Sequence, residues 1–416
     1  MIMTHCVDAS LDLFSRPPVD VSLEDVQDQE ILPLSSIGGN PDTIEFLISG
    51  DSNEYTDLSE TRLYLKIKVT KKDGTDVDEN KVKLIKYFPS ALFRQCDLFL
   101  NGTLVTTSSS MYPYLSYITS ELSFTKGVKE DQLQVLEYAG GLDVTKDNAE
   151  AEAYVRLNLP LFNQNRLIPN GVHMTLRLLR SSPEFVLLKA DDQDATEYKL
   201  SITKASLFVR RIKPAPNVLL EHADSLSKVN AVFPISRIWP KFFTLSEKTR
   251  EFDLANIVQG ELPARVIIGF VDTEAFSGNL KKDPFKFEHF KLNQIHLNSN
   301  GRAIPAIPIT CDFTKNQFRR AYHQLLDTVQ GPCQDSESIG LTEKKYKEDS
   351  CFFGFTIART LTGQQASIPQ REQGYINCKL LFKEALPRNV NAIICLEYHN
   401  TIEIDSARNI YLDYSA

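Results

Sequence analysis

Tryptophan occurs once and methionine four times in this chain, no cysteine pairs with another as CxxC, and histidines never stand as HxH. Each shortage excludes something. Seven scattered cysteines, Cys6, Cys96, Cys311, Cys333, Cys351, Cys378 and Cys395, give neither a zinc ribbon nor an even disulfide framework. They read as reduced thiols packed in a core, which suits a cytosolic or nuclear compartment. No basic stretch followed by an apolar one opens the chain, so a soluble protein made inside the cell is expected. No apolar run approaches the roughly 18 residues of a membrane span, so no transmembrane segment is expected. Phosphate-cradling loops of the GxxxxGK[ST] or GxGxxG type are missing, as is a GxSxG nucleophile elbow. A net charge of −8 repels a phosphate backbone at long range and argues against nucleic-acid binding.

What the chain has in abundance is phenylalanine (24) and tyrosine (15), a bias that suits β-sheet cores. At 416 residues it exceeds one ordinary core and fits two domains of about 200 residues. Period-two alternation is clear. TRLYLKIKV sets Leu63, Leu65, Ile67 and Val69 against Tyr64, Lys66 and Lys68. VHMTLRLL does the same with Val172, Met174, Leu176 and Leu178. NAIICLEY is apolar on both faces, which predicts a strand covered on both sides. Helical spacing is confined to short runs at Tyr114, Ile118 and Leu122, and at Phe318, Ala321, Tyr322, Leu325 and Val329.

The pattern is stated twice. CDLFLNGTLV (Cys96–Val105) followed by PYLSYITSEL matches NQIHLNSNGRAI (Asn293–Ile304) followed by NQFRRAYHQLL. Each is a strand, an Asn-Gly turn, a returning strand and a helix. LFNQNRLIPNGVHMTLRLLRS (Leu161–Ser181) is taken as echoed by LFKEALPRNVNAIICLEYHN (Leu381–Asn400). A repeat this long means duplicated domains rather than a solenoid. Many short strands with hairpin turns predict a sandwich or jelly roll, so the fold class is all-β: two eight-stranded antiparallel jelly rolls in tandem with a few short helices in loops. Residues 1–30, acidic and without periodicity, read as an extended N-terminal arm. Residues 31–213 form the N-terminal jelly roll, 214–229 a linker helix broken in by Pro214 and Pro216 and capped by Asn217, and 230–416 the C-terminal jelly roll. Acidic stretches at 141–152 and 190–197 read as exposed loops.

Two stretches invite a functional reading and have a plainer one. Asn101-Gly102-Thr103 fits the glycosylation pattern, but Asn-Gly is also what a type I′ hairpin needs, with positive φ at both positions. KKDPFKFEHFKL (Lys281–Leu292) interleaves lysine with phenylalanine as a single-strand nucleic-acid binder would. A strand entering the core with a bulge near Glu288 accounts for it better. A cupin-like metal site needs histidines on alternating strand positions, and His289 and His296 are spaced for opposite faces.

The chain resembles the major capsid proteins of Polinton/Maverick elements and adintoviruses. The matching segments are DLFSRPP (Asp12–Pro18), YTDLSETRLYLKIKV (55–69), ALFRQCDLFLNG (91–102), YPYLSYI (112–118), NRLIPNGV (165–172), LRLLRS (176–181) and ASLFVRRIK (205–213). They continue with IGFVDTEAFSGNLKKDPFKFEHF (268–290), RAY (320–322), ALPRNVNAI (385–393) and IEIDSARNIYLDY (402–414), in order over nearly the whole chain. The resemblance implies a hexon-like double jelly roll that forms a homotrimeric, pseudo-hexameric capsomer of an icosahedral double-stranded DNA virus. It implies neighbouring capsomers, a single jelly-roll penton protein and minor capsid proteins as partners. It also implies a virion location after synthesis in the host cytoplasm, with assembly there or in the nucleus. No catalytic, cofactor or metal residue is assigned, no enzyme activity is expected, and no sequence-specific nucleic-acid contact is expected. The alternative is a tandem jelly-roll carbohydrate- or receptor-binding protein, which would call for a secretory signal, acidic calcium clusters or an exposed aromatic groove.

Overall fold

The computed structural model describes residues 19–50, 53–78, 81–131, 150–190, 196–330, 338–358 and 370–414. The first half carries β1 (Leu23–Ile31), β2 (Thr43–Ile48), β3 (Tyr55–Lys71), β4 (Val82–Leu84), α1 (Phe88–Ala91), β5 (Phe93–Leu100), β6 (Thr103–Leu104), α2 (Tyr112–Ser123) and α3 (Lys126–Glu130). It continues with β7 (Glu150–Val155), β8 (Met174–Arg180), α4 (Pro183–Val186), β9 (Leu187–Lys189) and β10 (Tyr198–Pro214). After α5 (Pro216–Leu226) come β11 (Ala231–Leu245), β12 (Glu251–Glu261), β13 (Arg265–Asp272), α6 (Thr273–Ser277), β14 (Leu292–Ser299) and β15 (Arg302–Thr310). The chain ends with α7 (Arg319–Gln330), α8 (Glu343–Glu348), β16 (Phe352–Thr356), β17 (Gln373–Phe382), β18 (Val390–Ile404) and β19 (Ile410–Leu412).

Sheet order decides the architecture. In the first half the strands pair as β1-β10-β3-β7 and β2-β8-β5-β6, with β4 and β9 a separate short pair. In the second half they pair as β11-β18-β13-β16 and β12-β17-β14-β15, with β19 added beside β18. Counting only the eight main strands of each half, both read first-eighth-third-sixth and second-seventh-fourth-fifth. That permutation, with every sheet pairing antiparallel, is a jelly roll, and it occurs twice.

The alternating stretches are core strands. Leu63, Leu65, Ile67 and Val69 on β3 and Met174, Leu176 and Leu178 on β8 are at most 1% exposed. β18 is buried on both faces from Val390 to Tyr398, as its unbroken apolar run predicts. One face meets the interior of its own roll. Across the other lie α2 of the first half, which contacts β11, and α7, which contacts β16. The helical runs are therefore the cover of a sheet: Tyr114, Ile118 and Leu122 on α2 are buried, and so are Ala321 and Leu325 on α7.

Several sequence expectations need correction. The arm drawn at 1–30 contains β1, the first strand of the first roll, so a boundary at residue 31 cuts through the end of that strand; residues 1–18 lie outside the described residues. The helix at 216–226 is present, but its N-cap is Ala215 with Pro216 as first residue, and Asn217 is inside it. Lys281–Leu292 is not a strand. Phe290 and Lys291 both adopt positive φ (41° and 56°), so a turn rather than a bulge breaks the apolar parity, and β14 starts at Leu292. The second echo fails as well: Met174–Arg180 is the seventh main strand of its roll, whereas Val390–Ile404 is the eighth of the other. The true counterpart of β8 is β17. Of the acidic stretches, 150–152 begin β7, while 141–149 and 191–195 lie outside the described residues.

Candidate assembly surface

The two Asn-Gly turns occupy the same place in the two rolls and are built alike. Asn101 and Gly102 have φ of 45° and 82°, and Asn300 and Gly301 have 51° and 82°. Both positions thus take the left-handed conformations of a type I′ turn. Asn101 Oδ1 accepts from the His173 amide at 2.8 Å, and its own amide donates to the His173 carbonyl. Asn300 Oδ1 accepts from the Tyr375 amide at 3.0 Å, and its amide donates to the Tyr375 carbonyl. Each side chain therefore pins the turn to the start of the neighbouring strand. The Asn101 amide nitrogen also donates to the Arg408 carbonyl at 2.9 Å, so the side chain serves structure.

That last bond crosses between the rolls, and three further sets of contacts do the same. Phe285 and Phe287, from the stretch that interleaves lysine with phenylalanine, are fully buried. Phe285 stacks on Tyr117 at 4.7 Å and stands edge-on to Tyr114 at 5.8 Å and Phe185 at 6.0 Å. Phe287 meets Phe352 at 4.5 Å, and a Cβ added to Gly269 would come within 2.5 Å of the Phe287 ring, which explains a side-chain-free residue mid-strand. Nearby, Glu121 on α2 is fully buried between Lys345 on α8 (2.7 Å) and Lys129 on α3 (3.7 Å). Lys129 also donates to the Ile339 carbonyl at 2.8 Å, and burial, partly offset by Glu121, pulls its ammonium down to about 8. At the far end Arg408 donates to the Asn170 carbonyl (2.6 Å) and Oδ1 (2.8 Å), while Tyr414 donates to the Val105 carbonyl (2.7 Å). Aromatic packing, a buried ion cluster and a C-terminal clamp join the halves into one body.

Chemically reactive groups are dispersed. Among the described residues no cluster of three His, Cys, Asp or Glu could hold a metal ion. Cys96, Cys311, Cys351, Cys378 and Cys395 are free and buried, and burial raises their thiol pKa values, to about 12 for Cys311 and Cys395. Protonated thiols of this kind are inert. His289 stacks on Phe313 at 4.1 Å, and burial, helped by Lys347 and Lys291, brings its pKa to about 4. A cleft of about 350 Å³ lies between α2 and the outer face of β11, β13 and β18. On its polar floor Glu397 takes bonds from Arg265 and Ser236, both at 2.7 Å. No helix among the described residues is long and apolar enough to cross a membrane.

The surface features sequence reading missed are apolar. Of the sixteen large hydrophobic residues exposed among the described residues, six lie between residues 19 and 34: Val19, Val21, Leu23, Val26, Leu32 and Leu34. Among the described residues β1 is an edge strand with no partner on its outer edge, and none of its residues is buried. Its topological counterpart β11 buries Phe233, Ile235, Arg237, Pro240 and Leu245. On β11 the exposed apolar residues are Trp239 and Phe242, also on an edge. Six exposed apolar residues within sixteen positions make this segment a candidate contact surface. Only the alternation of acidic with apolar residues at 19–30 could have signalled it.

No family model matches the chain. It is 23% identical over 402 residues to the uncharacterized protein F54H12.2 of Caenorhabditis elegans, covering 89% of this chain and 93% of that one. Solved structures are more informative. A chain of the Sputnik virophage matches with a TM-score of 0.64 at 11% identity, covering all of this chain and 94% of that one. A chain of the PBCV-1 virus capsid gives 0.63 at 10% identity, covering 97% and 100%. The Faustovirus major capsid protein gives 0.59 at 9% identity, covering 96% and 92%. The fold is a double jelly roll. At these identities the likeness is one of architecture, and it spans both rolls in each case.

Proposed function

We propose that this chain is a major capsid protein whose three copies form a pseudo-hexameric capsomer of an icosahedral double-stranded DNA virus shell. The observation that carries this reading is the same eight-strand permutation stated twice and welded into one body. Three such chains supply six similar units, so a closed threefold trimer can fill a six-neighbour lattice position. The two rolls are taken as its two domains, with α5 as the link and the residues before β1 as an arm. The finer placement beside Polinton/Maverick elements and adintoviruses rests on the ordered segments from Asp12–Pro18 to 402–414. In this reading the chain is structural rather than enzymatic, has no catalytic, cofactor or metal site, and does not bind a specific nucleic-acid sequence. Its partners are its own copies, neighbouring capsomers, a single jelly-roll penton protein and minor capsid proteins. It is made in the host cytoplasm, assembles there or in the nucleus, and ends in the virion. Light scattering coupled to size exclusion tests it: three chains of 47.1 kDa per particle support the reading, and a strict monomer across salt and concentration contradicts it.

A further inference from the structure

The first strand of the first roll is attached to its sheet by interactions that any copy of the chain could supply. Among the described residues β1 pairs with β10 alone, from Leu23↔Pro214 to Ile31↔Leu207. Its side chains add Glu24–Lys213 (2.8 Å), Asp28–Arg210 (3.1 Å) and Glu30–Lys204 (3.6 Å) on one face, and Gln29–Arg211 (3.1 Å) on the other. Nothing on β1 from Leu23 to Glu30 enters the core, whereas β11 in the second roll is held by five buried side chains. The pseudo-symmetry of the two rolls is broken at this strand. Flanking it on both sides are Val19, Val21, Leu32 and Leu34, between 60% and 81% exposed. Beyond β1 the Leu34 amide donates to the Glu45 carbonyl at 2.8 Å and Ile37 packs on the core, so residues 32–36 are a five-residue connection held by one backbone bond. Extended, it spans roughly 17 Å.

We propose that β1 is an exchanged strand: in the assembled particle it leaves its own β10 and pairs, in the same register, with β10 of a second copy of this chain. The inference rests on the capsomer reading and adds to it a specific contact between copies. Exchange costs little core packing, because Ile31 at the end of β1 is its one residue packed against the core. Every backbone bond and ion pair is remade, since each copy presents the same Lys204, Arg210, Arg211 and Lys213. The gain is coverage of the exposed valines and leucines on either side, which abut the neighbour once the connection opens. A second copy fits better edge-on to β10 than edge-on to β1, because two β1 strands side by side would set Glu24, Asp25, Asp28 and Glu30 against their own kind. Strand exchange between identical chains is a low-cost route to association.

Paired cysteines test this. Asp28 and Arg210 are directly opposite across the two strands, within disulfide reach. D28C/R210C is made in full-length chain with Cys6 and Cys333 replaced by serine, and oxidised after the particle mass has been measured. Covalently linked dimers and trimers on a non-reducing denaturing gel are expected. As a second arm, the D28C and R210C single variants are mixed before assembly, where only a bond between copies can form, and a linked heterodimer is expected. An internal disulfide in chains that still form trimers, with no linked heterodimer, overturns the exchange and leaves the capsomer reading standing. An internal disulfide in particles that are monomers overturns both.

Discussion

Replacing Phe285 with alanine should loosen one roll from the other. The ring belongs to the second half, is fully buried, and touches Tyr117, Tyr114 and Phe185 of the first. Truncating a buried phenylalanine costs about 3–5 kcal/mol through lost burial and the cavity left behind. Three aromatic pairs, each worth about 0.5–1.5 kcal/mol beyond area, put this site at the upper end. The loss falls on the junction between rolls, so it should separate their unfolding as well as lower it. Trp239, the one tryptophan, reports on the second roll by fluorescence, while far-UV circular dichroism reports on both. In guanidinium the two signals should coincide for the native chain and diverge for Phe285→Ala, with a stability loss of about 5 kcal/mol. As a control, Leu220→Ala on α5, where the side chain is 72% exposed, should stay within about 0.5 kcal/mol. Coincident transitions with a loss below about 1 kcal/mol would refute the role given to this aromatic junction.

Lys129→Met should cost about 3–5 kcal/mol because it strips one of the two cations from the fully buried Glu121, and adding Glu121→Gln should restore most of it in the same denaturation assay. Asn300→Ala should cost about 1–2 kcal/mol through loss of the Tyr375 bond and strain at φ 51°, whereas Asn300→Gly should lose less than Asn300→Ala because glycine accepts that φ. His289 should titrate near pH 4 by NMR. Its folded pKa lies below the unfolded value of about 6.5, so its contribution is intact above pH 6.5 and is lost as pH falls from there towards 4. After allowing for partial exposure the loss should be about 1–2 kcal/mol, and His289→Gln should remove it from the pH–stability curve.

What sequence made legible follows from what writes a side-chain signal. β3 and β8 bury one face, so Leu63 to Val69 and Met174 to Leu178 alternate visibly. The Asn-Gly turns were visible because few residues accept two successive positive φ values. β1 was invisible because backbone bonds and surface ion pairs hold it, and those impose no apolar period on Leu23–Ile31. The false echo of β8 in β18 arose because alternation identifies a strand but not its position in the sheet order. Phe285 and Phe287 looked like a binding stripe for a related reason: composition shows aromatic residues but not the Tyr114 and Tyr117 that meet them from about 170 residues away.

The measurement that bears most directly on the capsomer is electron microscopy of the purified full-length chain in negative stain. Class averages should show a hexagonal outline with six lobes and threefold symmetry, each chain supplying two adjacent lobes. Isolated two-lobed particles at every concentration and ionic strength would contradict it.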